Sequence, residues 1–205
     1  MNRQEFFIDH DGLRLHAKLD FPAAEAEKYP LVIIVHGYTG HMEEDHIIAI
    51  AQALTQNGFA ALRVEMYGHG HSDGEFRNHT VLKWVGELLT VIDYAVGLDF
   101  VEELYLTGHS QGGLTVMLAA AMKRDVLKAV IPLAPAVIIR DAAREGKMFG
   151  VSFDPDHIPE ELDMGEGRVL GGNYFRVAQL LPVEEAQRLY KGPVLLVHAD
   201  TDESV

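Results

Sequence analysis

The stretch that most constrains this 205-residue chain is Gly108-His109-Ser110-Gln111-Gly112-Gly113. The residues before it, Glu103-Leu104-Tyr105-Leu106-Thr107, read as a short buried strand. Those after it place Leu114, Met117, Leu118 and Ala121 on one helical face. Ser110 therefore sits where a strand turns sharply into a helix, in the G-x-S-x-G pattern of a nucleophile elbow. So tight a turn strains the serine backbone and crowds the residues two before and two after it. Glycine relieves the clash because it has no Cβ. The hydroxyl is left exposed above the sheet, and the first amides of the helix aim at any negative charge forming beside it. With 19 Gly and 4 Ser in the chain, chance supplies such a pattern on the order of 0.03 times.

Strands and helices alternate around that turn. Residues 5–9 and 13–21 predict a hairpin about His10-Asp11-Gly12. In its second strand Leu13, Leu15, Ala17 and Leu19 alternate with Arg14, His16, Lys18 and Asp20, which predicts one buried and one solvated face, as at a sheet edge. Residues 31–35 are uninterrupted Leu, Val and Ile, the mark of a strand covered on both faces. A helix over 44–57 with Ile47, Ile50, Ala51 and Leu54 inward, a strand over 59–64, a helix over 81–96 and a strand over 126–133 follow. This is the pattern of a doubly wound, mostly parallel α/β sheet, whose functional groups gather at the carboxyl ends of the strands. His36, the 68–74 loop, Ser110 and Pro135 all fall at such ends.

Between residues 136 and 181 the alternation stops, and charge, glycine and aromatics mix. A structureless loop of that length is improbable inside a domain, so the stretch reads as an inserted subdomain covering the site. The expected organisation is a core over 1–135 and 182–205, with a lid over 136–181. Within the second core portion, 182–190 reads as a helix and 194–198 as a buried strand.

A net charge of −14 argues against nucleic acid and anionic membranes as partners. The chain has no Cys, hence no disulfide or thiol chemistry. Met1-Asn2-Arg3-Gln4-Glu5 is too polar for a secretion signal, and no apolar run approaches a membrane span, so the expected location is cytoplasmic.

Three segments in order, His36-Gly37-Tyr38-Thr39-Gly40, Gly108-His109-Ser110-Gln111-Gly112-Gly113 and the strand leading to Asp202, resemble the α/β-hydrolase family. More narrowly, Phe153-Asp154-Pro155-Asp156-His157-Ile158-Pro159, Gly171-Gly172-Asn173-Tyr174-Phe175 and Gly192-Pro193-Val194-Leu195-Leu196-Val197-His198 resemble bacterial cinnamoyl or feruloyl esterases. The resemblance implies a serine carboxylic-ester hydrolase working through an acyl-enzyme, without a cofactor. Its substrate would be a small-molecule hydroxycinnamoyl ester, as found on plant polysaccharide. Ser110 would be the nucleophile, and the backbone amides of Tyr38 and Gln111 the oxyanion donors. Asp202 would be the acid, with Asp200 as its rival. Asp141, following Val137-Ile138-Ile139, is a candidate partner for a phenolic hydroxyl.

In that family the histidine base follows the acid after another helix and strand. Here three residues follow Asp202, so the base, the last strand and the last helix are expected beyond Val205. A strand at 194–198 left as an open edge predicts self-association, giving a homo-oligomer. Of the 11 histidines present, His69 and His71 are the nearest substitutes for the base, while His36 braces its loop. No histidine pair has the helical spacing and third ligand of a metal site. Gly68-x-Gly70-x-x-x-Gly74 is not followed directly by a helix, so it does not make a dinucleotide site. A general short-acyl esterase, a lipase-like enzyme, an acyltransferase, or a non-catalytic binding module on the same scaffold stand as alternatives, since fold alone does not separate them.

Overall fold

Arg3–His10 (β1) and Leu13–Asp20 (β2) form an antiparallel hairpin in this computed structural model, which describes residues 3–202 and 205. The hairpin turns on Asp11 and Gly12, both at positive φ of 52° and 82°, the mirror-image turn that suits the twist of paired strands. Tyr29–Val35 (β3), Ala60–Val64 (β4), Val101–His109 (β5) and Leu127–Leu133 (β6) complete a six-stranded sheet of order β1-β2-β4-β3-β5-β6. Pairing is antiparallel for β1–β2 and β2–β4 and parallel from β4 to β6.

The apolar run in β3 is buried from Leu31 to Val35, as a strand covered on both faces requires. Val32 and Ile34 pack with Ile47 and Ala51 of helix α1 (Asp45–Gln56). Leu31, Ile33 and Val35 face the larger core, with Trp84, Leu88 and Ile92 of α2 (Val81–Val96) and Leu114 and Leu118 of α3 (Gln111–Met122). Burial of each Leu or Ile there contributes roughly 1.5–3 kcal/mol. The α2 helix starts where Thr80 accepts a hydrogen bond from the Lys83 amide at 3.1 Å.

Two expectations are corrected. The outer face of β2 is not solvated: His16 and Asp20 are 3% and 1% exposed. β2 is the second strand, and charges from neighbouring elements meet its own. Asp20 accepts from Arg63 Nη2 at 2.9 Å, and His16 lies between Glu65 and Glu5 at 2.8 and 2.7 Å. The stretch 194–198 is not buried either. Val194 and Val197 bridge to β6 in parallel, but Val194, Leu195, Leu196 and Val197 are 58%, 61%, 58% and 49% exposed. The segment lies at the sheet edge beside β6, and Val194 and Leu196 line an open hollow against Met117 and Ala120 of α3.

From 136 to 181 the chain forms α4 (Ile139–Glu145) and two small hairpins, then α5 (Gly172–Ala178). The hairpins pair β7 (Lys147–Met148) with β8 (Val151–Ser152) and β9 (Glu161–Asp163) with β10 (Val169–Gly171). Buried Ala143, Met148, Leu170, Tyr174 and Phe175 belong to the same core cluster as the sheet. The final helix is α6 (Val183–Leu189), which packs on α3. Among the described residues no helix is long and apolar enough to cross a membrane.

Candidate active site

Ser110 follows β5 directly and precedes the first residue of α3, with φ 52° and ψ −118°. Its amide donates to Leu133 O at 2.9 Å, and its carbonyl accepts from the amides of Leu114 and Ala136 at 3.1 and 3.0 Å. The strained backbone is thus tied to the end of β6 and to the start of α3. The glycines explain why the turn closes. A Cβ on Gly108 would stand 2.4 Å from Gly112 O, and one on Gly112 would stand 2.3 Å from His36 O. Both contacts are with backbone, so no side chain fits at either position.

The loop after β3 lies against this turn. A Cβ on Gly37 would come 3.5 Å from Ser110 Cβ, which brings the Gly37–Tyr38 peptide alongside the serine. His36, fully buried, braces that loop: its Nδ1–H donates to Gly37 O at 2.8 Å and its Nε2 accepts from the Met66 amide at 3.1 Å. Burial pushes its pKa down to about 3, so the ring is neutral. His69 reaches Tyr38 O at 2.6 Å and Tyr67 O at 2.9 Å. Both nitrogens of His36 and of His69 are engaged with backbone, and neither ring is hydrogen-bonded to Ser110. His71 is exposed and meets the His16 ring edge-on at 5.1 Å. His109, beside the serine, packs on His46 with ring centroids 4.7 Å apart.

Gln111 is fully buried; its Oε1 accepts from the Tyr174 hydroxyl at 2.6 Å, and its carbonyl from Thr115 at 2.9 Å. This pins the first residue of α3 to α5. A cavity of about 150 Å³ opens beside Ser110 and Gln111, walled by Tyr38, Ile139, Met148 and Phe149. Val205 lines it as well. A second, open cleft of about 840 Å³ lies on the other side of the loop at Thr39 and Gly40, floored by His16, Glu65 and His69.

Asp202 is 18% exposed in its side chain, with His198 Nε2 at 3.7 Å and the Val205 amide at 3.3 Å. Val197, bridged to Leu133, brings the 198–202 turn to the end of the sheet where His109, paired with Leu133, leads into Ser110. Asp200 is exposed. Asp141 stands on α4 beside this cavity. It does not line the Ser110 cavity, which Ile138, Ile139 and Ala142 face from α4. Its carboxylate is 57% exposed and accepts from Arg140 Nε at 2.8 Å, on the side where Arg140 also pairs with Glu184. Among the described residues no group of His, Asp and Glu is placed to hold a metal ion. The residues that sequence reading misses are Phe149, Met148 and Tyr174. Their signal was the clustering of aromatics with glycine, which carries no contact information.

A family model described as "Serine aminopeptidase, S33" matches residues 26–157, which include the loop after β3 and the whole Ser110 turn. The chain belongs to the serine aminopeptidase S33 family. In fold it is an α/β-hydrolase, as the strand order and the turn at Ser110 already require. Est1E from Butyrivibrio proteoclasticus, solved with ferulic acid bound, superposes with a TM-score of 0.95 and 56% identity, over 98% of this chain and 80% of that one. The bovine mitochondrial palmitoyl-protein thioesterase ABHD10 is 32% identical over 111 residues, 54% of this chain and 35% of that protein. An acyl transferase of Photobacterium phosphoreum is 28% identical over 159 residues, 76% of this chain and 50% of its own length. The chain thus spans between about a third and a half of these two curated relatives.

Proposed function

We propose that this chain carries the acyl-binding and nucleophilic part of a serine carboxylic-ester hydrolase acting on hydroxycinnamoyl esters. The observation that carries the reading is the Ser110 turn with the Gly37–Tyr38 peptide packed against it. In this reading Ser110 Oγ attacks the ester carbonyl and the alcohol leaves, giving an acyl-enzyme that water hydrolyses. The amides of Tyr38 and Gln111 hold the oxyanion, a contribution of roughly 2.7–4 kcal/mol per donor in enzymes of this mechanism. Asp202 orients the histidine that takes the serine proton. Residues 136–181 act as the lid and supply much of the acyl wall. Ferulic acid bound to a relative at 56% identity supports the hydroxycinnamoyl class.

Similarity to a thioesterase and to an acyl transferase raises a second reading in which the acyl donor is a thioester. Labelling by a fluorophosphonate probe tests the first reading. Ser110 should carry the adduct, and Ser110→Ala should lose it with stability changed by less than about 0.5 kcal/mol. An adduct persisting in Ser110→Ala refutes the nucleophile. Relative turnover of feruloyl, acetyl and palmitoyl nitrophenyl esters separates the acyl classes.

A further inference from the structure

At about 150 Å³ the cavity beside Ser110 is smaller than the roughly 300–1,000 Å³ of ordinary small-molecule sites. One of its walls is covered in an unusual way. Phe149 lies flat on Tyr38, with ring centroids 4.1 Å apart and planes within 8°. The other rings around Tyr38, those of Phe76, His79 and Tyr174, are all tilted or edge-on at 5.3–6.0 Å. Phe149 is the first residue of the turn joining β7 to β8, where it and Gly150 have φ of 52° and 80°. Asn, Asp and Gly ordinarily fill that left-handed position, and a bulky ring there is an outlier. Phe149 is 38% exposed, and among the described residues its other ring neighbour is Tyr174 at 5.9 Å. The Tyr38 hydroxyl, meanwhile, is buried without a hydrogen-bond partner among the described residues.

We propose that Phe149 is a displaceable cover, and that the aromatic ring of the acyl group takes its place flat on Tyr38. The hairpin tip swings outward to admit the ring and enlarges the cavity. Tyr38 then has two separate duties: its backbone amide faces the oxyanion, and its side chain is the seat of the acyl ring. Exchange of one stacked ring for another keeps the Tyr38 face covered, and it exposes a phenylalanine that is already partly in water. A flexible alkyl chain offers no flat face for this exchange. The unpartnered Tyr38 hydroxyl gives a ring-borne hydroxyl something to bond. This rests on the ester-hydrolase reading and deepens it: the acyl group is planar and aromatic.

The test measures binding of two probes, ferulate and hexanoate, by calorimetry to the wild-type chain, Phe149→Asn and Tyr38→Leu. Asn suits the left-handed turn, so the hairpin is kept, and Leu at position 38 retains the backbone amide. Phe149→Asn should bind ferulate about two- to tenfold tighter, the worth of one ring pair, with hexanoate unchanged. Tyr38→Leu should weaken ferulate by a similar factor. A crystal structure with ferulate should show its ring where Phe149 now lies. Weaker ferulate binding by Phe149→Asn, equal effects on both probes, or no ferulate binding to any of the three proteins overturns the proposal. Fluorophosphonate labelling of Ser110 in the same preparations tests the ester-hydrolase reading independently. Labelling with ferulate bound elsewhere defeats only the ring exchange. Ring exchange without labelling defeats only the hydrolase.

Discussion

Nε2 of His69 lies 2.6 Å from the carbonyl oxygen of Tyr38, and Nδ1 of the same ring lies 2.9 Å from the carbonyl oxygen of Tyr67. Burial lowers the pKa of His69, so the ring is neutral near pH 7 and has one N–H to give. The shorter of the two contacts is the one to Tyr38 O. His69 therefore holds the loop that carries the Tyr38 amide. His69→Phe removes the donor, a net loss of about 0.5–1.5 kcal/mol. In a catalytically competent protein the expected result is a two- to tenfold fall in kcat on an aryl ester, with KM little changed and partial recovery in His69→Gln. A change confined to KM would instead assign the loop to ground-state binding.

Three buried ionisable groups near this loop set opposing pH limits on stability. Burial pushes His36 and His79 down to about 3, from 6.5. The unfolded chain therefore binds more protons than the fold as pH falls below 6.5, and each pH unit down to about 3 costs up to about 1.4 kcal/mol per ring. Burial pushes Glu87 up to about 8 from 4.5, so its contribution is full below 4.5 and is lost as pH rises to about 8. From 6.5 to 8 only Glu87 acts, and stability falls with rising pH. From 6.5 down to 4.5 two histidines outweigh one carboxyl. Denaturant titrations across pH should show a maximum near 6.5, and Glu87→Gln should flatten the alkaline limb. An unchanged alkaline limb would remove Glu87 from the account.

Gly112→Ala should destabilise the fold by about 1–3 kcal/mol or more. The added Cβ meets His36 O at 2.3 Å and Val35 O at 2.5 Å, and backbone at the end of β3 does not move aside cheaply. The check is the midpoint of thermal unfolding. Gly150→Ala is the control, with positive φ but nothing within 4 Å of its Cβ. Equal losses in both would show that conformation, and not contact, sets the cost.

The exposed Leu195 and Leu196 flank β6, and among the described residues no backbone group pairs with the outer side of that segment. A polypeptide of these 205 residues should self-associate through that edge. Leu195→Lys should return its light-scattering mass toward that of one chain. A monodisperse monomer by light scattering would contradict this expectation.

The parts legible in the sequence are those that periodicity encodes. The apolar run 31–35, the stripe of α2 and the strand–serine–helix junction each carry their own local signal, and all lie where expected. The parts that were not legible depend on partners distant in sequence. Alternation in β2 reads His16 and Asp20 as solvated, because their partners Glu65 and Arg63 arrive more than 40 residues later. Residues 194–198 read as buried from hydrophobicity alone, although burial depends on what packs over them. Asp141 follows an apolar triplet, but helical geometry turns it toward Arg140 and away from the cavity its neighbours line. Phe149 reaches Tyr38 through a turn conformation that its own side chain disfavours, so no propensity announces it.

The φ of 52° at position 110 also limits which nucleophiles this scaffold can carry. A β-branched residue is a genuine outlier at positive φ, because its second γ atom meets the backbone. Threonine is therefore shut out although its hydroxyl is chemically equivalent to that of serine. Cysteine and aspartate, unbranched at Cβ, fit the same turn. The backbone thus selects by shape among groups that reactivity alone would treat as interchangeable. Changes of chemistry on this fold are expected to run from serine toward thiol or carboxylate nucleophiles, and never through threonine.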